Sequence, residues 1–329
     1  MLLIVTGSDD VTADLVVAEL NVLGGRFIRL NTESYPSSAA VELRYSGGTA
    51  TGLLHTVHGD VPLDSIETVW FRKPNPPSVS PAVVDEQARS FARQECEAML
   101  SGFYRVLARS FWVSSPDVIR RANDKLLQLA AAQEVGFAVP DTLVTTDPQA
   151  ARRFCVSGGS ERIVKPLKSG AVECPDGKLE LIYTSVVTQA DVSNIDLVAF
   201  SPCLFQEYVP KLYEVRVTII GERIFAVGID SQASASSKVD WRRNNCQGLR
   251  YFELELPDEV AAKCRQFVEW YGLQFSAMDF VVTPKHEYVF LENNPNGQWA
   301  WLDLELRNGM TRYMAEFLLS RSRQGRARV

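Results

Sequence analysis

Near the end of this 329-residue chain, Asp279 and Glu292 lie in two short apolar runs, Ser276–Val282 and Glu287–Asn293, and Asn294 follows the second. The stretch between the runs, Thr283-Pro284-Lys285-His286, has turn composition, so the whole predicts an antiparallel hairpin. With the turn centred between Pro284 and Lys285, Asp279 faces Phe290 and Ala277 faces Glu292, which makes the two carboxylates diagonal neighbours on one sheet face. Asn294, two residues further on, points the same way. Two carboxylates and an amide oxygen meeting at a strand end are hard donors, suited to Mg²⁺ bridging nucleotide phosphates. Met278, Phe280, Val281, Val289 and Leu291 would form the rigid base beneath them.

Cations that could meet those phosphates stand upstream. Lys165 closes the apolar run Arg162-Ile163-Val164-Lys165, where its charge is costly unless an anion matches it. Lys125 falls in the first turn of an expected helix, an unfavourable place for a cation unless an anion binds nearby. Gln206-Glu207-Tyr208-Val209 ends a strand whose backbone can read an adenine, and Glu214 follows as a carboxylate for ribose hydroxyls. Arg216 alternates onto the face of Glu214, and its fork suits a phosphate or carboxylate. Arg242 and Arg243, in the polar stretch Lys238–Arg243, could receive an anionic substrate. Taken singly, each feature also fits an ordinary hairpin face, an edge lysine or a solvated loop.

The elements that must position these residues follow from periodicity and turn signals, and the fold class is α/β. Residues 1–115 predict an open α/β lobe, with strands at Leu2–Val5, Phe27–Leu30 and Thr68–Arg72 and a hairpin Val41–Tyr45/Thr49–Leu54. Helices are expected over Thr12–Leu23, ended by Gly24-Gly25, and over Pro81–Ala108. A second segment, 116–201, opens with a helix at Ser115-Pro116-Asp117 and a second helix over Asp124–Val135 capped by Asn123. It continues with strands Val139–Thr145, Arg162–Lys165 and Leu179–Val187, a helix Ala150–Cys155 and a polar loop Lys168–Gly177. A third segment, 202–329, holds a strand Leu204–Val209, the hairpin Glu214–Ile220/Arg223–Ile229 turning at Gly221-Glu222, a helix Asp258–Tyr271, the acidic hairpin and a last helix Thr311–Leu319.

Composition narrows the function classes. With 34 basic against 40 acidic residues the net charge is −6, which argues against sequence-independent nucleic-acid binding. Only the tail is basic, at Arg321, Arg323, Arg326 and Arg328. The six cysteines, Cys96, Cys155, Cys174, Cys203, Cys246 and Cys264, form no CxxC pair and lie far from His55, His58 and His286. That pattern fits reduced thiols in a cytoplasmic protein better than a disulfide framework or a zinc site. The first residues run from an apolar strand straight into Thr6-Gly7-Ser8 and read as neither export signal nor membrane span.

The order of the clusters (lysine, lysine, Gln-Glu, Glu-x-Arg, Asp, Glu-x-Asn) resembles the ATP-grasp superfamily over about residues 115–310. The strings Ile163–Leu167, Ile182–Thr184, Phe205–Lys211, Asp230–Gln232, Asp240–Arg243 and Asn294–Trp299 look like the graspetide ligases, which include the microviridin-type macrocyclases. Trp70-Phe71-Arg72-Lys73-Pro74 in the first lobe fits the same family. The resemblance implies an ATP-grasp fold preceded by a pre-ATP-grasp domain. It implies Lys125 and Lys165 on ATP phosphates, the backbone of Glu207 to Val209, Tyr208 included, on adenine, and Glu214 on ribose. Asp279, Glu292 and Asn294 would hold Mg²⁺, and Arg216 would face the transferred phosphate. Arg242 and Arg243 would meet an acidic substrate. The partner implied is a ribosomal precursor peptide with a leader and an acidic core, its Asp or Glu side chains joined to Ser/Thr hydroxyls or Lys amines; the resemblance also admits a homodimer. Two other activities fit the same residues: a free amino-acid or glutamate-tailing ligase, and a non-catalytic nucleotide- or peptide-binding module. Two positions depart from the pattern: Asn293 stands where an apolar residue is expected, and the loop Lys168–Gly177 is less glycine-rich than many phosphate-covering loops.

Overall fold

The apolar run Leu2–Thr6 becomes β1, every residue of it buried, at the centre of a parallel sheet. The computed structural model describes residues 1–157, 159–168, 170–174, 179–233, 237–243 and 248–324. Ser169 and residues 175–177 of the polar loop, Cys246, and Arg326 and Arg328 of the tail lie outside the described residues. After β1, the helix α1 (Val11–Val22) starts one residue beyond Asp10, whose carboxylate accepts from the N–H groups of Thr12 and Ala13. It is followed by β2 (Phe27–Asn31), the meander β3 (Ala40–Ser46), β4 (Thr49–Thr56) and β5 (Gly59–Pro62), then β6 (Thr68–Phe71), α2 (Glu86–Val106) and β7 (Phe111–Val113). The parallel sheet runs β2-β1-β6-β7, and Leu3, Val5, Leu30, Val69, Leu100 and Phe103 share one core. Helix α2 begins five residues later than its pattern suggests because Asp85, accepting from the Ala88 N–H at 2.7 Å, sets its cap.

The next stretch carries α3 (Pro116–Ala122), α4 (Lys125–Glu134), β8 (Thr142–Thr145), α5 (Pro148–Val156), β9 (Arg162–Lys165), β10 (Ala171–Glu173), β11 (Leu179–Leu181), β12 (Ser185–Val186), α6 (Gln189–Ser193) and β13 (Cys203–Glu207). The cap of α4 is Asp124 and not Asn123: its carboxylate accepts from the N–H groups of Leu126 and Leu127. The single strand expected over Leu179–Val187 is two strands in two sheets. The break follows Ile182, whose N–H donates to Gly170 O at 2.7 Å. Gly170 is required there, since a Cβ would lie 2.2 Å from Ile182 O. Strand β13 completes the sheet β12-β9-β13-β8 and so belongs with the strands before it.

A second antiparallel sheet, in the order β16-β15-β14-β17-β18, uses β14 (Tyr213–Ile220), β15 (Arg223–Ile229), β16 (Tyr251–Leu254), β17 (Phe275–Val282) and β18 (Tyr288–Asn294), with α7 (Asp258–Tyr271) between β16 and β17. Gly272, at φ +72°, ends α7 in the left-handed conformation a non-glycine residue would resist. Phe137, Phe267, Phe280 and Phe290 pack together behind the last hairpin, with the Phe137 and Phe290 rings stacked at 5.7 Å. The chain ends with α8 (Ala300–Leu306) and α9 (Met310–Gln324).

The division differs from three consecutive segments. Two compact units form: one of Met1–Ile119, Leu273–Phe275 and Asn296–Val329, the other of Arg120–Gly272 and Ser276–Pro295. The C-terminal stretch joins the first unit through polar and apolar contacts together. Arg312 pairs with Glu19 at 3.1 Å, Phe317 meets Phe111, and Leu319 packs on Gly25. Arg72, 1% exposed, donates to Asn296 O at 2.6 Å and to Gln298 Oε1 at 2.8 Å, and lies 3.6 Å from Asp10. The Asn296 amide donates back to the Arg72 carbonyl. Burial lowers the Arg72 guanidinium to about 10, with Asp10 opposing the shift. Replacing Arg72 by Ala leaves Asp10 buried without its cation. The expected loss is about 3 kcal/mol of stability, read as a lowered urea midpoint.

Candidate active site

The two carboxylates at the end of the chain are closer than diagonal neighbours. Asp279 pairs directly with Glu292, and Ala277 with Asn294. The hairpin loop centres on Lys285, because Thr283 N–H donates to Glu287 O at 3.0 Å and His286 N–H to Thr283 O at 2.8 Å. Beyond Phe280, paired with Phe290, the register slips at a bulge that leaves Leu291 without an opposite residue. The bulge puts Leu291 and Glu292 on the same side. They line one cavity of about 520 Å³ together with Asp279, Val281 and Asn294. Asn293 points to the other face, which explains its departure from the apolar pattern. Its Oδ1 accepts from Ser276 Oγ at 2.6 Å, its N–H donates to Gln128 Oε1 at 2.9 Å, and its carbonyl accepts from Gln128 Nε2 at 2.7 Å.

Gln128 is a positioning residue that sequence reasoning did not single out. It ties α4, the helix carrying Lys125, to β18, the strand carrying Glu292. Lys125 Nζ thereby reaches Pro166 O at 3.0 Å and Glu292 Oε2 at 3.6 Å. Arg242 approaches the other Glu292 oxygen at 3.4 Å while forking onto Asp240 at 2.9 and 3.0 Å. Burial would raise the Glu292 carboxyl, but Arg242, Lys125, Lys165 and Arg216 together hold it at about 2. Burial raises Asp279 and the Glu292 charge adds to that, while Arg216 opposes both through a fork at 2.7 and 3.2 Å. Lys165 shows the complementary strain. Burial, with Lys125 and Arg242 nearby, lowers its ammonium to about 8 even though Glu292 and Asp279 favour the charge. An anion bound among these cations would relieve it.

The opposite wall of the cavity is the sheet holding β9 and β13. The register pairs Gln206 with Ile163 and Leu204 with Lys165, so these residues share a face. The last bonds joining β13 to its neighbours run from Glu207 N–H to Asp141 O and from Tyr208 N–H to Glu161 O, both 2.9 Å. Past them the chain turns along the cavity as Tyr208 and Val209. Glu214, 4% exposed, accepts from Lys211 Nζ at 2.6 Å; burial raises its carboxyl and Lys211 opposes that. Lys211 also donates to Val239 O at 3.2 Å, and its role escaped the sequence reading because the partner lies 28 residues away.

Lys125, Lys165, Glu207, Tyr208, Val209, Glu214, Arg242, Asp279, Glu292 and Asn294 thus line one cavity. Two expected site residues do not. Arg216 lies behind Asp279, its guanidinium 5.7 Å from the Trp241 ring. Arg243 turns away, donating to Thr184 O at 2.9 Å and Ser185 Oγ at 2.8 Å, where it fixes the start of β12. Asp279, Glu292 and Asn294 suit a hard divalent cation by donor chemistry and by the ionised state of Glu292. Among the described residues no group of three or more carboxylate, imidazole or thiolate side chains gathers. The donor set therefore leaves coordination positions for phosphate oxygens and water.

Residues 1–120 match the family described as the MvdD pre-ATP grasp domain. No curated protein matches the chain. Among solved structures, a RiPP-associated ATP-grasp ligase of Chryseobacterium gregarium, in complex with ADP and a leader and core peptide, is 29% identical at TM-score 0.89, over 96% of each chain. The macrocyclase MdnC of Microcystis aeruginosa MRC, bound with precursor peptide MdnA, is 29% identical at TM-score 0.85, over 97% of this chain and 99% of that one. MdnB of the same strain, also a macrocyclase, is 29% identical at TM-score 0.79, over 97% and 98%. The fold and the site define an ATP-grasp ligase. The chain is similar to these peptide-modifying ligases, and its first 120 residues match the MvdD pre-ATP grasp domain.

The charge balance around Glu292 has a pH signature. A carboxyl held at about 2 in the folded chain, below its ordinary value near 4.5, stabilises the fold above pH ~4.5 and loses that contribution as pH falls toward 2. Glu292→Gln is therefore expected to cost on the order of 3 kcal/mol at pH 7. Urea titrations of both proteins at successive pH values should show the difference narrowing below pH ~4.5.

Proposed function

We propose that the chain activates an Asp or Glu side chain of a ribosomally made precursor peptide with ATP and joins it to a Ser or Thr hydroxyl, or a Lys amine, of the same peptide. The observation that carries this reading is the convergence of Asp279, Glu292 and Asn294 with Lys125, Lys165 and Arg242 in one cavity beside the strand end Glu207–Val209. The relatives solved with ADP, with leader and core peptide, or with precursor peptide support the choice of substrates. The free thiols of Cys96, Cys155, Cys174, Cys203 and Cys264 support a reducing, cytoplasmic setting. Among the described residues no helix is long and apolar enough to cross a membrane.

A free carboxylate is a poor acyl donor because oxide is a poor leaving group. In the reaction assigned here the carboxylate oxygen bonds to the γ-phosphorus, the bond to ADP breaks, and the hydroxyl or amine then displaces phosphate from the acyl carbon. The net change is one water lost per crosslink. Mg²⁺, held by Asp279, Glu292 and Asn294, would supply charge neutralisation at the phosphates. Lys125 and Lys165 hold phosphate oxygens, and the backbone of Glu207 to Val209 lies along the adenine. Glu214 takes the ribose hydroxyls in exchange for Lys211. Arg216, forked onto Asp279 from behind, orients that carboxylate toward the cavity. Arg242 reaches from Asp240 toward the acidic donor, and Arg243 braces the same loop. Catalysis in this scheme is positioning and electrostatics, with no histidine required.

With ATP, Mg²⁺ and a precursor peptide having an acidic core rich in Ser, Thr or Lys, the product should lose the mass of one water per crosslink. A gain in mass by an added residue would indicate the glutamate-tailing or amino-acid ligase, and unchanged peptide with unhydrolysed ATP a binding module. Asp279→Ala should lower peptide-dependent ADP release by at least about 10²-fold while its circular dichroism stays native.

Nucleotide affinity should also depend on pH. Because Lys165 deprotonates near pH 8 in the free protein and a triphosphate favours its charged form, affinity should be flat below about pH 8 and weaken above it. Calorimetric titrations of Lys165→Arg should remove that dependence.

A further inference from the structure

Lys211 and Glu214 form a buried ion pair on the cavity wall, and the ammonium has two acceptors: Glu214 Oε1 at 2.6 Å and Val239 O at 3.2 Å. Glu214 has a second partner as well, the hydroxyl of Ser231. Ser231 is fully buried, and its carbonyl accepts from Ser237 Oγ at 2.7 Å. Both groups that hold the Glu214 carboxylate are therefore bonded to the short segment 237–239. Gln232 adds a third tie, donating from Nε2 to Lys238 O at 3.3 Å. One residue on, Asp240 receives the Arg242 fork, and its Oδ2 also accepts from Thr184 N–H at 3.3 Å. Arg242 in turn reaches Glu292 at 3.4 Å. A contact made at Glu214 thus has a short bonded route to the arginine beside Glu292.

We infer that Lys211 is a positioning residue that couples ribose engagement at Glu214 to the placement of Arg242. This rests on the ATP-site reading above and goes beyond it by giving Lys211 a task in the loop that meets the acidic substrate. An ammonium has N–H donors and no acceptor, so it divides its charge among the oxygens in reach. Ribose hydroxyls donating to Glu214 compete with Lys211 for that carboxylate. The ammonium then leans on Val239 O, and a charge-assisted hydrogen bond of this kind is stronger than a neutral one. Val239 precedes Asp240, so tightening that bond fixes the carboxylate onto which Arg242 forks. Arg242 is thereby set for an acidic donor once a nucleotide with an intact ribose is in place. A lysine that only neutralised Glu214 would leave residues 237–243 indifferent to the ribose.

Hydrogen exchange of the full chain, followed by mass spectrometry over residues 237–243, tests the link. Exchange is compared without nucleotide, with Mg²⁺ and ATP, and with Mg²⁺ and 2′,3′-dideoxy-ATP, each at a concentration that calorimetry shows to be saturating. Phosphate and base contacts are common to both nucleotides, so the difference between them isolates the ribose hydroxyls. In the wild type, ATP should slow exchange in 237–243 by about fivefold or more beyond the dideoxy nucleotide. In Lys211→Met that difference should vanish, whatever the overall rate. A lysine with a merely structural role would raise exchange in every state and leave the difference in place, which overturns the inference. Equal protection by the two nucleotides in the wild type also overturns it while the ATP site stands, and that arm needs no variant to fold. If calorimetry finds binding of neither nucleotide, the ligase reading falls and the inference with it.

Discussion

Two carboxylates held directly opposite each other on adjacent strands set the terms for the second unit. At about 4 Å and an effective dielectric of ~20, two like unit charges repel by about 4 kcal/mol, and burial adds to the cost. The Asp279–Glu292 pair is stable only because cations surround it: Arg216 beneath Asp279, Arg242 and Lys125 on the two oxygens of Glu292, and Lys165 close by. Those cations are crowded in turn, as the lowered Lys165 ammonium records. The site is thus a charge arrangement that holds without a ligand and improves with a polyanion accompanied by a divalent cation. That property is what an enzyme handling a nucleotide triphosphate needs.

Such an arrangement demands rigid supports, and β18 supplies them by using its two faces differently. Toward the cavity it presents Leu291, Glu292 and Asn294. On the other face Phe290 joins the aromatic cluster with Phe137, Phe267 and Phe280, and Asn293 is clasped by Gln128 and Ser276. The bulge at Leu291 lets consecutive residues face the cavity without disturbing Phe290. Aromatic pairs of this kind contribute about 0.5–1.5 kcal/mol each beyond the area they bury. Helix α4 is held through Gln128, so Lys125 and Glu292 cannot drift apart without breaking buried hydrogen bonds.

Much of this was legible in the residues themselves. Lys165 stood out because a charge in an apolar strand needs an anion, and the hairpin around Thr283–His286 announced two carboxylates on one face. The register was not legible. A turn centred on Lys285 and a bulge at Leu291 depend on backbone bonds that composition does not reveal, so the pair proved directly opposed and not diagonal. Asn293 looked anomalous only because its strand face was unknown. Long-range partners were equally hidden: Lys211 with Val239, Gln128 with Asn293, Arg72 with Asn296 and Gln298. Arg243 reads like its neighbour Arg242 in sequence, yet one reaches Glu292 and the other clamps Thr184. The return of Asn296–Val329 to the first unit follows from contacts far apart in the chain.

In the proposed reaction Asp279, Glu292 and Asn294 together hold a divalent cation shared with nucleotide phosphate. Manganese bound in place of magnesium can be followed by electron paramagnetic resonance with a non-hydrolysable ATP analogue present. One ordered Mn²⁺ per chain is expected only when nucleotide is present, and is expected to be lost in a folded Asp279→Asn, Glu292→Gln double variant. An ordered Mn²⁺ signal of unchanged strength in that double variant would contradict it.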